Sequence, residues 1–191
     1  MQLNQIHIDL ETLDTRHTSR ILSIGAACGT ETFYEEVDQA SYEQGELAFT
    51  TSNETVAWWD ERGGFQPTKE PITPSQMTSK LALWIGEVTD TVADFEVWAN
   101  SPSFDCAILM HHFKYYSIAP PWQFYRERDV RTIKALYQHL RLNIQKYTNP
   151  HHALQDAINQ QKMVDSVYMT LGAVVQAYNE RSAERQLDLP L

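Results

Sequence analysis

The stretch Ile6-His7-Ile8-Asp9-Leu10-Glu11-Thr12 constrains this chain most. Apolar Ile6, Ile8 and Leu10 alternate with His7, Asp9 and Glu11, the period of a strand with one face on a core and the other polar. Asp9 and Glu11 then share a face, about 6.6 Å apart at ~3.3 Å per residue. Two carboxylates held side by side repel, and burying either charge without a partner is costly. A divalent cation removes both difficulties; a sheet edge with two solvated acids avoids them. The rest of the chain decides between these readings.

At 191 residues, with 42% hydrophobic and 21% charged residues, the chain has the size and balance of one globular domain. The division expected is a domain over 1–178 and a polar C-terminal tail over 179–191. No apolar run is long enough to span a bilayer. The start, MQLNQIHIDL, lacks the basic stretch and apolar run of a secretory signal. Cys28 and Cys106, without CxxC spacing, fit a reducing cytoplasm and suggest neither a disulfide framework nor a zinc site. The formal charge of −10 argues against holding long duplexes by phosphate neutralisation. It is compatible with acids that hold metal.

The pattern predicts strands over 6–12, 20–28 and 33–37 in an antiparallel meander. A short helix follows over 54–62, after the capping-type residues Thr51, Ser52 and Asn53. A second helix opens with Thr73 as N-cap and Pro74 at its first position and runs to about Val88. Phe95 to Ala99 reads as a fourth strand, parallel to a neighbour because a helix precedes it. A helix over Cys106–Tyr116, a short fifth strand around Arg128–Val130 and a long last helix complete an α/β chain with a mixed sheet. The last helix carries a core stripe of Ala153, Ala157, Gln160, Val164, Val167 and Leu171. Pro150 keeps Asn149 out of helical geometry, so that helix starts after it.

Several residues are candidates for chemistry. Asp105 sits where a strand ends and a helix begins, a place that suits a ligand site in α/β sheets and equally an acid favoured by the helix dipole. Trp58 and Trp59 offer either base-stacking platforms or packing of their helix on the sheet. Arg126, Arg128, Arg131 and Lys134 form the densest basic patch, suited to phosphates or to local ion pairs with Glu127 and Asp129. His111 and His112 read as packing or solvent-facing residues. Asp156 lies beside the core stripe, an awkward place for an unpaired acid. His151, five residues before it, does not share its face at 3.6 residues per turn and must reach from the loop or first turn; His152, four before it, is the rival.

Asp-x-Glu on a first strand, Asn100…Phe104-Asp105 after a fourth, and His151-x-Ala153-x-x-Asp156 at a last helix resemble, in this order, the three exonuclease motifs of the DEDDh 3′–5′ exonucleases. The resemblance covers roughly residues 5 to 170. The wording Ile8-Asp9-Leu10-Glu11-Thr12-Leu13, Trp58-Trp59, Ala99-Asn100-Ser101-Pro102-Ser103-Phe104-Asp105 and Arg128-Asp129-Val130-Arg131-Thr132 is similar to a subgroup of small bacterial and bacteriophage exonucleases.

The resemblance implies a ribonuclease H-like fold, a central mixed five-stranded sheet flanked by helices, in a cytoplasmic protein of a bacterium or phage-infected cell. It implies that Asp9, Glu11, Asp105 and Asp156 hold two divalent cations, Mg²⁺ or Mn²⁺, and that His151, not His152, is the general base. Thr12, Leu13, Asn100, Phe104, Trp58, Trp59, Arg128 and Arg131 are the substrate-binding candidates, with Leu13 a wedge against the terminal base. The substrate is a single-stranded RNA or DNA 3′ end or short 3′ overhang, released as 5′-monophosphates; the family precedent also points to a homodimer. The chain departs at Asp14, where many relatives have glycine. The other readings are a silent nucleic-acid-binding module on this fold and a hydrolase of short oligonucleotides. A silent module, however, has no need to hold four carboxylates together.

Overall fold

The computed structural model describes residues 4–43, 48–89, 95–139 and 151–187. Its sheet is built from β1 (Asn4–Thr12), β2 (Ile21–Cys28), β3 (Glu31–Glu36), β4 (Phe95–Ala99) and β5 (Glu127–Asp129), in the spatial order β3-β2-β1-β4-β5. The first three strands form the expected antiparallel meander, and β4 and β5 add in parallel on the other side of β1. The helices are α1 (Asn53–Asp60), α2 (Pro74–Val88), α3 (Asp105–Tyr115), α4 (Val130–His139) and α5 (Ala153–Leu187).

The alternation in β1 sorts the two layers. Ile6, Ile8 and Leu10 are buried in one core with Met77, Leu81 and Ile85 of α2 and Ile108, Leu109 and Phe113 of α3. The other face carries His7, Asp9 and Glu11. Here α5 packs on β1 and β2, and Trp98, Val130, Tyr137, Met163, Val164 and Val167 form a smaller core. Buried apolar side chains contribute about 1.5–3 kcal/mol each, so these two layers fix which way β1 presents its acids.

Local chemistry sets the ends of the elements. The Ser52 hydroxyl accepts the Thr55 N–H at the start of α1. Thr73 and Gln76 form a reciprocal capping box at α2, with Pro74 at the first position. Phe104 precedes α3 without a side-chain cap, and Asp105 is the first helical residue, one earlier than the predicted start. The fifth strand is likewise one residue earlier than predicted, because Val130 turns into α4 and is buried beneath it.

Two expectations change. The polar tail predicted from residue 179 is helical as far as Leu187, since α5 runs through position 178 without a break. Its composition is polar, but polar residues of good helix propensity extend a helix that a packed stripe has already nucleated. His152 does not lie on the helix face of Asp156: α5 begins at Ala153, and the His152 ring instead stacks on Tyr34, centroids 4.8 Å apart. Asn149 and Pro150, which carried the argument for the start of this helix, lie outside the described residues.

The loop between α1 and α2 is tied to the end of β3 by a buried acid. Glu36 accepts the Thr68 N–H at 2.9 Å, the Thr68 hydroxyl at 2.7 Å and the Tyr34 hydroxyl at 2.8 Å. His111 and His112 pack, as expected. The His112 ring reaches the Tyr42 hydroxyl and the Ile108 carbonyl, and His111 reaches the Ala48 carbonyl.

Candidate active site

Asp9 and Glu11 project from the α5 face of β1 near its carboxyl end, where the ladder to β2 shifts register between Glu11 and Thr12. Such an irregularity re-aims side chains at the end of a strand. Asp156 comes from the first turn of α5. Oxygens of Asp9, Glu11 and Asp156 lie within 4.8 Å of one another.

Close approach of α5 makes this possible. Gly25 is the β2 partner of Asp9. A Cβ on Gly25 would lie 2.2 Å from backbone atoms of Ala153 and Leu154. Glycine in a strand interior often marks such a contact, and here it lets the start of the helix rest directly on the sheet beside Asp9.

Asp105 reaches the site from the start of α3 and is almost wholly buried. Its Oδ1 accepts the Leu10 N–H at 3.1 Å, next to Asp9 in the chain. It therefore adjoins the three clustered acids while lying outside the set that closes to 4.8 Å. Asp9 receives one neutral donor: Gln160 Nε2 donates to Asp9 Oδ1 at 2.7 Å. Asp156 Oδ2 accepts the His151 N–H at 3.0 Å.

Burial raises the pKa of every acid in the group, and repulsion by neighbouring acids adds to it at Asp9 and Glu11. Asp9 is held well above the carboxylate range by burial first, then by the charges of Asp105, Glu11 and Asp156, with the Gln160 amide pulling the other way. Glu11 is pushed up to about 8 by burial and by Asp156 and Asp105. Burial raises Asp105, against the Leu10 N–H and the charge of Arg131. Burial likewise raises Asp156, against the N–H groups of His151 and His152. Hard oxygen donors crowded without a matching positive charge are the donor set a divalent cation satisfies, so the residues present fit such an ion.

Beside the acids lies a cleft of about 370 Å³ lined by Leu10, Glu11, Thr12, Thr15, Glu54, Thr55, Trp58, Trp59 and Phe104. Trp59 is buried, and its indole N–H donates to the Thr12 carbonyl at 3.0 Å, tying α1 to the end of β1. Trp58 is half-buried. Its ring meets the exposed His151 ring edge-on at 4.7 Å, and the Arg62 guanidinium stands 4.0 Å from its centre. His151 adopts φ 67°, a left-handed backbone that is uncommon for a residue with a side chain. His152 has a buried Nδ1 without a hydrogen-bond partner among the described residues.

The other sequence candidates divide. Thr12, Phe104, Trp58 and Trp59 line the cleft. Leu13 is half-buried and does not line it; its backbone bonds Arg20 and Ser52. Asn100 is exposed in the bend after β4. Arg128 is engaged elsewhere: Nε donates to Glu96 at 2.8 Å and Nη1 to the carbonyls of Tyr125 and Glu127. Arg131, exposed in the first turn of α4, acts on Asp105 by charge. Asp14 is buried and accepts Arg16 Nε and the Thr15 N–H, both at 2.7 Å. Burial raises its carboxyl, but these donors outweigh that and hold it below the usual range. Asp14 thus shapes the turn after β1 and is absent from the cleft lining. Gly25 and Gln160 are the residues that sequence reasoning missed; a glycine inside an apolar strand and a glutamine inside an apolar stripe were the available signals.

The sheet order and the flanking helices give the chain a ribonuclease H-like fold, the fold of the DEDDh nucleases. Cell-death related nuclease 4 (CRN-4) superposes with a TM-score of 0.60 at 12% identity, over 87% of this chain and 64% of its own. This chain thus spans less than two thirds of that one. The nuclease domain of 3'hExo, a DEDDh family member solved bound to rAMP, superposes with a TM-score of 0.54 at 14% identity, over 88% of this chain and 92% of its own. No curated protein sequence matches the chain. A family model, the 3'-5' exoribonuclease Rv2179c-like domain, matches residues 4–168, and the chain belongs to that family. The family is one of 3′–5′ exonucleases by its description.

Proposed function

We propose that the protein removes nucleotides one at a time from the 3′ end of single-stranded RNA, releasing 5′-monophosphates, with Asp9, Glu11, Asp105 and Asp156 holding two divalent cations, Mg²⁺ or Mn²⁺. The observation that carries this reading is the approach of Asp9, Glu11 and Asp156 to within 4.8 Å of one another, on the rim of a cleft closed by Trp58, Trp59 and Phe104. The cations, when bound, stabilise charge on the attacking and leaving oxygens of an in-line displacement.

The chain's own residues do the rest. The cleft receives the 3′-terminal nucleoside, with the Trp58 ring as an apolar wall for its base; such contacts are worth about 1–3 kcal/mol per base. His151 is the general base. Its exposed ring meets the cleft's Trp58 edge-on, whereas the His152 ring is stacked on Tyr34. Histidine suits this role because its ordinary pKa lies near neutrality. The left-handed backbone at His151 and its N–H bond to Asp156 fix the ring's origin relative to the acids. RNA is favoured over DNA by the exoribonuclease description of the family and by the ribonucleotide in the 3'hExo structure. A second copy of the chain is the partner proposed on family precedent.

A gel time course tests the reading. RNA and DNA strands of one sequence, 5′-labelled, are incubated with Mg²⁺, Mn²⁺ or EDTA. The expected result is a ladder shortening from the 3′ end, faster on RNA, absent in EDTA and absent with Asp156→Asn. Degradation that survives EDTA contradicts the metal assignment; equal rates on the two sugars contradict the RNA assignment. Longer strands should also show the steeper salt dependence, because they engage more phosphates.

A further inference from the structure

Gln160 stands one helical turn beyond Asp156 on α5, in the stripe that otherwise buries Ala153, Ala157, Val164 and Val167. It is 6% exposed, so its amide has left water. Its nitrogen donates to Asp9 Oδ1 at 2.7 Å, and its carbonyl oxygen is buried without a hydrogen-bond partner among the described residues. A buried amide with half its bonding unmet costs stability. An apolar residue would fill the stripe without that cost, so packing does not account for a glutamine here. The amide orientation follows from chemistry: the reverse would set a carbonyl against a carboxylate.

We infer that Gln160 is a positioning residue that fixes the Asp9 carboxylate for cation capture. The inference rests on the metal reading above. Residues at i and i+4 share a helix face, so a single rigid element delivers one acid, Asp156, and the donor that orients another, Asp9. The donor's neutrality is the essential property. A lysine or arginine at this place would pair with Asp9 and offset the charge a cation needs. A glutamate would add another acid to a group already crowded. An amide occupies one oxygen, restrains the side-chain torsions, and leaves the carboxylate's charge in place. Partners of this kind, which orient metal ligands from behind, typically change metal affinity or activity 10- to 100-fold when removed.

The test is Mn²⁺ binding at equilibrium, without nucleic acid, by calorimetry on metal-free protein. Wild type is compared with Gln160→Met, which keeps the length and removes the donor, and with Gln160→Leu should the first not fold. Melting in EDTA checks the fold. The expected result is Mn²⁺ affinity reduced at least about tenfold, with near-wild-type melting in EDTA and an unchanged KM for RNA, and a kcat defect that shrinks as Mn²⁺ is raised. A purely structural role would move the melt and leave the metal dependence alone. Affinity within twofold of wild type in a folded variant overturns the inference and leaves the metal reading standing. Wild type that binds no more Mn²⁺ than Asp156→Asn overturns the metal reading and this inference with it. A measurement on unsubstituted protein gives an independent check: the Gln160 side-chain amide resonance should shift when Mg²⁺ is added, and a resonance indifferent to Mg²⁺ overturns the inference.

Discussion

A Cβ placed on Gly25 would lie 2.2 Å from the carbonyl carbon of Ala153, closer than two such atoms can approach. Because Gly25 is the strand partner of Asp9, this contact sets the distance between the acids of β1 and those that follow Ala153 on α5. Gly25→Ala should force the helix off the sheet. Overpacking of this kind costs about 1–3 kcal/mol, or roughly 2–4 °C in Tm per kcal/mol for a chain this size. Turnover should fall by about 100-fold, since a displacement near 1 Å has that effect on a positioned site. Thermal melts and single-turnover rates check it; a variant with wild-type turnover would show that the spacing tolerates more than this packing implies.

Glu11 gives the metal-free protein a pH dependence of known sign. Its pKa is raised in the folded state to about 8 by burial and by Asp156 and Asp105. The unfolded chain, with an ordinary glutamate near 4.3, therefore gives up its proton first as pH rises. The stabilising contribution is fully present below that value and is lost as pH climbs through about 8. Buried His7 and His112, lowered to about 3 and about 4 by burial, act oppositely below pH 6.5. The informative quantity is thus the difference between wild type and Glu11→Gln in EDTA. That difference should grow in favour of the variant from pH 5 to pH 8, reaching at least about 1 kcal/mol, or roughly 2–4 °C. Mg²⁺ should reverse it by stabilising wild type alone. A difference that stays flat across this range contradicts the raised pKa.

Asp156→Asn should abolish detectable turnover while raising Tm in EDTA by a few degrees, about 2–4 °C per kcal/mol of relieved repulsion. Melting curves with and without Mn²⁺ check this directly. The substitution should also remove the Mn²⁺-induced rise in Tm that wild type shows. A variant still stabilised by Mn²⁺ would place the ions elsewhere.

The two adjacent histidines should separate cleanly. His151→Ala should lower kcat by about 100- to 10,000-fold, the range for loss of a general base, with Mn²⁺ binding retained. His152→Ala loses the stack on Tyr34, worth about 0.5–1.5 kcal/mol, and should keep turnover within a fewfold of wild type. Kinetics and melts on the two variants decide; the larger catalytic loss in His152→Ala would exchange their roles.

The parts of the site that are periodic or local were legible in the sequence. The alternation of β1 placed Asp9 and Glu11 on one face, the capping residues around Ser52 and at Thr73 marked two helix starts, and the five-residue gap from His151 to Asp156 required the histidine to come from the loop or first turn. What was not legible depends on pairings distant in sequence. Gln160 reads as one more position of a core stripe until β1 is laid beside it. Asp105 reads equally as a ligand at a strand end and as a helix-dipole acid, and nothing in the sequence shows that its carboxylate meets the Leu10 N–H, 95 residues away in the chain. Arg128 reads as a phosphate contact or a local partner of Glu127 and Asp129, whereas its acid is Glu96 across the parallel pair β4–β5. Asp14 reads as a departure from the glycine of many relatives, whereas Arg16 and the Thr15 N–H draw it into the turn.

The central claim is most directly tested by the first product. An RNA with a unique 3′-terminal nucleotide is treated with the enzyme and Mg²⁺ in ¹⁸O-enriched water, and the earliest products are identified by mass spectrometry. The expected products are the 5′-monophosphate of that one nucleotide, carrying a single solvent oxygen on its phosphate, and an RNA one residue shorter with a free 3′-hydroxyl. A 3′-phosphate, a cyclic phosphate, or an internal fragment as the first product would contradict it.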